Sequence, residues 1–169
     1  EKTRTAEIIQ SKHANGIVNV PDFIENDYVN YFIHSIADNA FENTSITVLS
    51  LKNTHIKRIG NFIFQDSSIE EIIFGESIEE FGKYWCKGVE KLTKITIDPN
   101  NKHFIYKEGL LINIKENEII FAKRDIMGKI TFWNDIKKIG PYAFYKCKNV
   151  EKFSIKSSSI EQIEDFAFY

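Results

Sequence analysis

Cys86 and Cys147, four histidines, and adjacent carboxylates such as Glu70-Glu71 and Glu79-Glu80 are the side chains here whose types suit catalysis. A cysteine beside a histidine would make a nucleophilic pair. Two carboxylates facing one bond would divide acid and base work in hydrolysis. The spacing supports neither chemistry. His13, His34, His55 and His103 fall at unrelated positions, and the two cysteines have no short metal-type separation. The glycine patterns that cradle phosphates, the H-E-x-x-H metal helix, C-x-x-C and G-x-S-x-G are all absent. The expectation is a protein that is not an enzyme, with no catalytic, metal or cofactor site.

Composition narrows the class further. Hydrophobic residues at 43% and charged residues at 27% support a packed core and argue against disorder. A net charge of −2, with both signs intermixed along the chain, gives no basic field for nucleic acid or anionic lipid. Apolar runs such as Glu118-Ile119-Ile120-Phe121-Ala122 are far shorter than the roughly 20 residues of a membrane-spanning helix. Residues 1–10 are polar and charged and carry no signal-type apolar run. The chain does not open with Met, so this decides nothing about a leader.

What must position any functional side chain is a repeat. The pattern I-x-x-I-G-x-x-A-F starts at Ile33, Ile56, Ile78, Ile136 and Ile160, at intervals of 23, 22, 58 and 24 residues. Ile78 to Cys86 is the most divergent copy. Each full copy runs into a second pattern, apolar-x-x-apolar-x-apolar, at Ile46, Leu49 and Leu51; Ile69, Ile72 and Phe74; Leu92, Ile95 and Ile97; and Val150, Phe153 and Ile155. The last two positions alternate as in a strand, so both face inward. Coils of about 23 residues then stack about 4.8 Å apart and merge their apolar rows into one core. The glycine suits a turn with positive φ or a close backbone approach. The Ala-Phe pair fills the width of the coil.

The 58-residue interval holds a variant, hairpin-containing coil at about 98–133. Strands are expected at Phe104–Tyr106, Gly109–Ile114 and Glu118–Phe121, with Lys115-Glu116-Asn117 turning a hairpin, and Lys129–Trp133 resuming the regular strand. Residues 1–30 are expected to form an N-terminal capping coil, with strands near Gly16–Asp22 and Tyr28–Ile33, and residues 31–169 the repeats. The last copy stops mid-repeat at Phe168-Tyr169, so the expectation is a fragment of a longer array.

These residues resemble the BspA-like leucine-rich repeats, most closely over Lys137–Ile155, where Cys147 falls at the family's cysteine position; Cys86 departs by replacing the Phe. The resemblance covers about residues 16–169. It implies a β-rich leucine-rich-repeat solenoid of the α/β class, one parallel strand per coil, with short turns or 3-10 segments opposite. It also implies a non-enzymatic protein-interaction module, part of a cell-surface or secreted adhesin that binds host, matrix or cell-surface proteins. The alternative is an intracellular scaffold, which two unpaired thiols would suit. Asn43-Thr44-Ser45 matches a glycosylation sequon that matters only in a secreted chain.

The partner-binding face is expected where strand residues point outward, in three rows. They are Thr47, Glu70, Thr93 and Glu151; Val48, Glu71, Lys94 and Lys152; and Ser50, Ile73, Thr96 and Ser154. The hairpin at Lys115 to Glu118 is a second candidate. Inside I-x-x-I, Lys57-Arg58 stacks over Glu79-Glu80, and Lys137-Lys138 over Glu161-Gln162. This charge ladder favours correct register by about 0.2–1 kcal/mol per pair. Replacing Glu79 and Glu80 together by Lys should therefore lower the thermal melting temperature, and an unchanged melting curve sinks the ladder.

Overall fold

The computed structural model describes residues 4–52, 54–132, 135–155 and 160–169. The N-terminal strands are β1 (Thr5–Ile8), β2 (Asn15–Asn19), β3 (Phe23–Asn26) and β4 (Val29–Ile36). The first regular coils contribute β5 (Ser45–Leu51), β6 (Arg58–Ile59), β7 (Glu71–Phe74), β8 (Glu80–Phe81) and β9 (Lys94–Ile97). The variant coil gives β10 (Phe104–Lys107), β11 (Leu110–Asn113), β12 (Glu118–Ala122) and β13 (Met127–Phe132). β14 (Lys138–Ile139), β15 (Asn149–Ile155) and β16 (Gln162–Ile163) complete the chain.

Alternation explains the first side. Ile46, Leu49 and Leu51 are buried, and so are Ile69, Ile72 and Phe74. Their strands form a parallel sheet in the order β2-β5-β7-β9, with Leu49 opposite Ile72 and Ile72 opposite Ile95. β13 and β15 form a separate two-stranded parallel sheet. Val150 and Phe153 are half-buried there; Trp133 lies outside the described residues, and of Ile155 only the backbone is described.

The other side corrects the expected α/β class and 3-10 segments. Neither helix type occurs among the described residues. The I-x-x-I segments instead form two-residue strands in two further sheets, β1-β4-β6-β8 with β3 antiparallel on β4, and β10-β11-β12-β14-β16. A helix needs its N–H groups for bonds within the segment. Here they are spent between coils, Lys57 donating to the carbonyl of His34 at 2.8 Å and Gly60 to that of Ile36 at 2.9 Å.

The turns that follow are also laddered. Asn39 donates to Asn61, Phe41 to Ile63 and Asn43 to Gln65, each in the next coil. Of the two roles open to the pattern's glycine, close approach is the one realised. A Cβ on Gly60 would lie 2.5 Å from the Asp38 nitrogen. Positive φ falls instead on Asn39, Phe62, Tyr142 and Phe166, and four residues later on Asn43, Asp66, Gly88 and Lys146. Bulky left-handed residues are strained, and ring stacking offsets the strain: Phe62 on Tyr84 at 5.6 Å, Tyr142 on Phe166 at 5.2 Å.

At the variant coil the order changes. In the divergent copy Ala-Phe becomes Trp85-Cys86, reversing small and large, and the Trp85 indole packs against Phe81 and Phe121. β10, β11 and β12 form an antiparallel meander, and the core divides into two adjoining clusters. Arg124, only 6% exposed, joins the coils on either side. Its Nε donates to the Val89 carbonyl at 2.8 Å, one terminal nitrogen to Ala122 and Ala143, and the other to Cys86 and Tyr142. The guanidinium lies 4.3 Å from the Phe121 ring centroid, and no carboxylate pairs with it among the described residues. All five donors of a guanidinium are thus used.

Arg124→Met takes from the Val89 carbonyl the donor that serves it, a deficit of about 1–3 kcal/mol, while the Ala143, Cys86 and Tyr142 carbonyls keep their main-chain donors. The variant should lose about 1–3 kcal/mol in urea unfolding. Stability equal to the parent's would overturn the bracing role.

Candidate interaction surface

The outward rows are realised in part. In the β2-β5-β7-β9 sheet, Ser50 stands opposite Ile73 and Ile73 opposite Thr96; Val48 stands opposite Glu71 and Glu71 opposite Lys94. Thr47, Glu70 and Thr93 follow one another through main-chain bonds of 2.9 and 3.1 Å. β2 extends the rows with Ile17 opposite Val48 and Asn19 opposite Ser50. Glu151, Lys152 and Ser154 do not join them. They lie on β15, which among the described residues pairs with β13 alone, and there no strand bond links β13 to β9. Four stacked strands therefore carry one patch, and two further strands carry another. Relief on the first patch is low: Ser50, Val48 and Ile73 are half-buried by their neighbours, and Glu71 is held to Lys94 at 2.8 Å.

The titratable groups match no reactive arrangement. All four histidines are exposed, and their positions are scattered over the chain. Among the described residues no group of His, Cys, Asp and Glu could hold a metal ion. Burial pushes the Cys86 thiol up to about 11 and raises that of Cys147, so both are held protonated, far from the thiolate a nucleophile needs. The Cys86 sulfur points at the carbonyls of Ile120, Pro141 and Tyr142, a packing role in place of the missing Phe. The hairpin at Lys115–Glu118 projects an exposed Lys115 beside Glu116.

Of the charge ladder, Lys57–Glu79 at 2.7 Å and Lys137–Glu161 at 3.1 Å are made. Arg58 lies opposite Glu80 in register but turns to Asp38 at 3.7 Å, and Lys138 turns to Glu118 and Glu164. The last contact belongs to a cluster the sequence did not disclose. The Glu164 side chain, 11% exposed, accepts from Lys83 at 3.0 Å and from Lys138 at 3.2 Å. These residues, with Glu118 and Trp85, border a cavity of about 460 Å³ between β8 and β12. Glu164 occupies the position of the repeat's glycine, and only the missing Gly signals anything unusual there.

Comparison with known proteins now fits the geometry. The model of the BspA type leucine rich repeat region matches in six copies over residues 24–108 and 112–169. The chain belongs to that family, a class of repeat protein that generally serves protein interaction and is typically non-enzymatic. A leucine-rich repeat protein from Eubacterium ventriosum shares the fold, with a TM-score of 0.63 and 20% identity over 92% of this chain. The match spans 57% of that protein's length. The pneumococcal vaccine antigen PcpA matches with a TM-score of 0.45 at 14% identity, over 96% of this chain and 60% of that one. A leucine rich cell surface protein from Faecalibacterium prausnitzii matches with a TM-score of 0.40 at 12% identity, over 97% and 73%. Comparison with curated proteins finds no match. No helix among the described residues is long and apolar enough to cross a membrane.

The cluster at Glu164 sets a pH signature. Hydrogen bonds from Lys83 and then Lys138 hold its carboxyl below the usual carboxylate range. A depressed folded value stabilises above the unfolded value, about 4.3 for Glu, and that stability is lost as pH falls through the folded value. Glu118 opposes it, because burial raises its carboxyl. Glu164→Gln should flatten the acid limb of a melting-temperature profile below about pH 4.3. A profile parallel to the parent's rules out the assignment.

Proposed function

We propose that this protein binds a protein partner through the outward face of the β2-β5-β7-β9 sheet, as part of a cell-surface or secreted adhesin that engages host, matrix or cell-surface proteins. The observation that supports it is the register of that sheet. Three successive coils align Ser50–Ile73–Thr96 and Val48–Glu71–Lys94 with no offset, giving a flat, ordered strip beside the core. Short hydroxyl side chains, two aliphatic residues and a tied ion pair lose little freedom when covered. Membership of the BspA-type family supports the surface location.

A second reading, an intracellular scaffold using the same strip, draws on the two free thiols, which suit a reducing compartment. Antibody against the chain, applied to intact source cells, separates the two. Surface labelling is the expected result, and labelling only after permeabilisation overturns the adhesin. For the strip itself, matrix and host-cell proteins are screened for binding to the whole chain. Ile73→Lys should then weaken a captured partner by about ten-fold, or 1.4 kcal/mol, with the melting curve unchanged. A partner indifferent to Ile73→Lys removes the strip from the reading.

A further inference from the structure

The large sheet ends at β9, and the main chain there is unfinished. In a parallel ladder, alternate residues direct their N–H and C=O groups to opposite neighbours. Lys94 and Asp98 donate to Glu70 and Phe74 in the preceding coil. The N–H and C=O groups of Ile95 and Ile97 therefore point the other way, where no strand pairs with β9 among the described residues.

β10 carries a second open edge. Glu108 and Gly109, both at positive φ, form a two-residue hairpin loop, so Lys107 and Leu110 are a hydrogen-bonded pair. Ile114 donates to the His103 carbonyl at 2.9 Å, which fixes the same alternation at the far end. Residues 103, 105 and 107 thus face β11, and Phe104 and Tyr106 turn their main-chain groups away from it. The Phe104 N–H is taken by Asn101 Oδ1 at 2.9 Å, and among the described residues no strand pairs with the edge that carries the Phe104 carbonyl and the main-chain groups of Tyr106. Ile95, Ile97, Phe104 and Tyr106 all line one cavity of about 500 Å³, and Ile105 and Ile114, each 46% exposed, stand on its wall.

From these two open edges on one cavity we propose that the slot takes an extended peptide segment of a partner protein, added as a strand along β9. A small apolar ligand would leave the edge donors and acceptors unpaired, whereas an extended backbone matches them at the 3.3 Å rise of a strand. Among the described residues no strand of this chain fills that edge: β13 pairs with β15 and β10 with β11. The four residues of β9 span about 13 Å, enough for four to six residues of peptide. An added strand continues the rows that end at Thr96, so the slot lengthens the strip. The inference rests on the partner being a protein, but not on the strip being its contact.

The test uses the whole chain and a set of acetylated, amidated hexapeptides with Val, Ile or Thr at alternate positions, read by amide chemical shifts. At least one peptide is expected to shift the amides of Ile95, Ile97 and Tyr106 and to slow their hydrogen exchange. Its affinity should fall about ten-fold or more when its alternate amides are N-methylated, with the side chains kept. Ile97→Pro removes a slot donor without touching the β7 ladder and should abolish the shifts. Should that variant fail to fold, the N-methylated peptides carry the same test. Ile73→Lys leaves slot binding intact, so failure of the strip and failure of the slot are told apart. Absence of any shift at millimolar peptide, or undiminished binding of N-methylated peptides, overturns the proposal.

Discussion

Every coil depends on giving its main-chain hydrogen bonds to the coil beside it. At the strands, at the I-x-x-I segments and around the turns, donors reach carbonyls one repeat away. Buried backbone groups without partners are costly, and in a solenoid only the neighbour can supply them. That constraint fixes the rest: near-constant coil length, a narrow turn where Gly60 meets Asp38, and side-chain rows that repeat at fixed height. It also explains Arg124. At the longer coil the guanidinium gives the Val89 carbonyl a donor where the earlier coil's Thr44 carbonyl takes the Ser68 N–H, and it adds second donors to carbonyls on both sides.

The side-chain columns follow from the same stacking. Phe41 lies on Phe64 and Phe144 on Phe168, nearly parallel, because identical positions in adjacent coils face each other. Asp38 accepts from the Asn61 backbone, and Asn61 in turn from Tyr84, so a polar side chain continues the ladder where carbonyls alone do not reach. The backbone bond from Asn61 holds the Asp38 carboxyl below its ordinary value.

Much of this was legible in the residues. The strands of the large sheet were, because alternation of buried and outward residues is written in Leu49, Leu51, Ile72 and Phe74. The three strands of the variant coil and the hairpin between the last two were legible from its apolar runs. The second sheet was not, since strands of two residues such as Arg58–Ile59 carry no periodicity. The turn after β10 was missed because Glu-Gly is a weak sign of a left-handed pair. The division of the interaction face was also hidden: Ser154 and Thr96 share a repeat position, and nothing in their spacing tells that β13 does not reach β9. Arg124 and Glu164 stand outside the repeat pattern. Their roles come from what the longer coil and the absent glycine bring near them.

The break between β9 and β13 has a mechanical meaning. A stack of coils resists bending in proportion to the bonds that tie each coil to the next. Along β2-β5-β7-β9 those bonds are continuous; at the variant coil, among the described residues, strand pairing lapses on both sides, between β9 and β13 and between β8 and the β10-β11-β12 meander, and β12–β14 ties the meander only to the coil that follows. Compliance is thus concentrated at one place. A load along the axis would therefore be felt first at that junction, where a buried cation bonded to the Val89 and Ala143 carbonyls ties the coils on either side together.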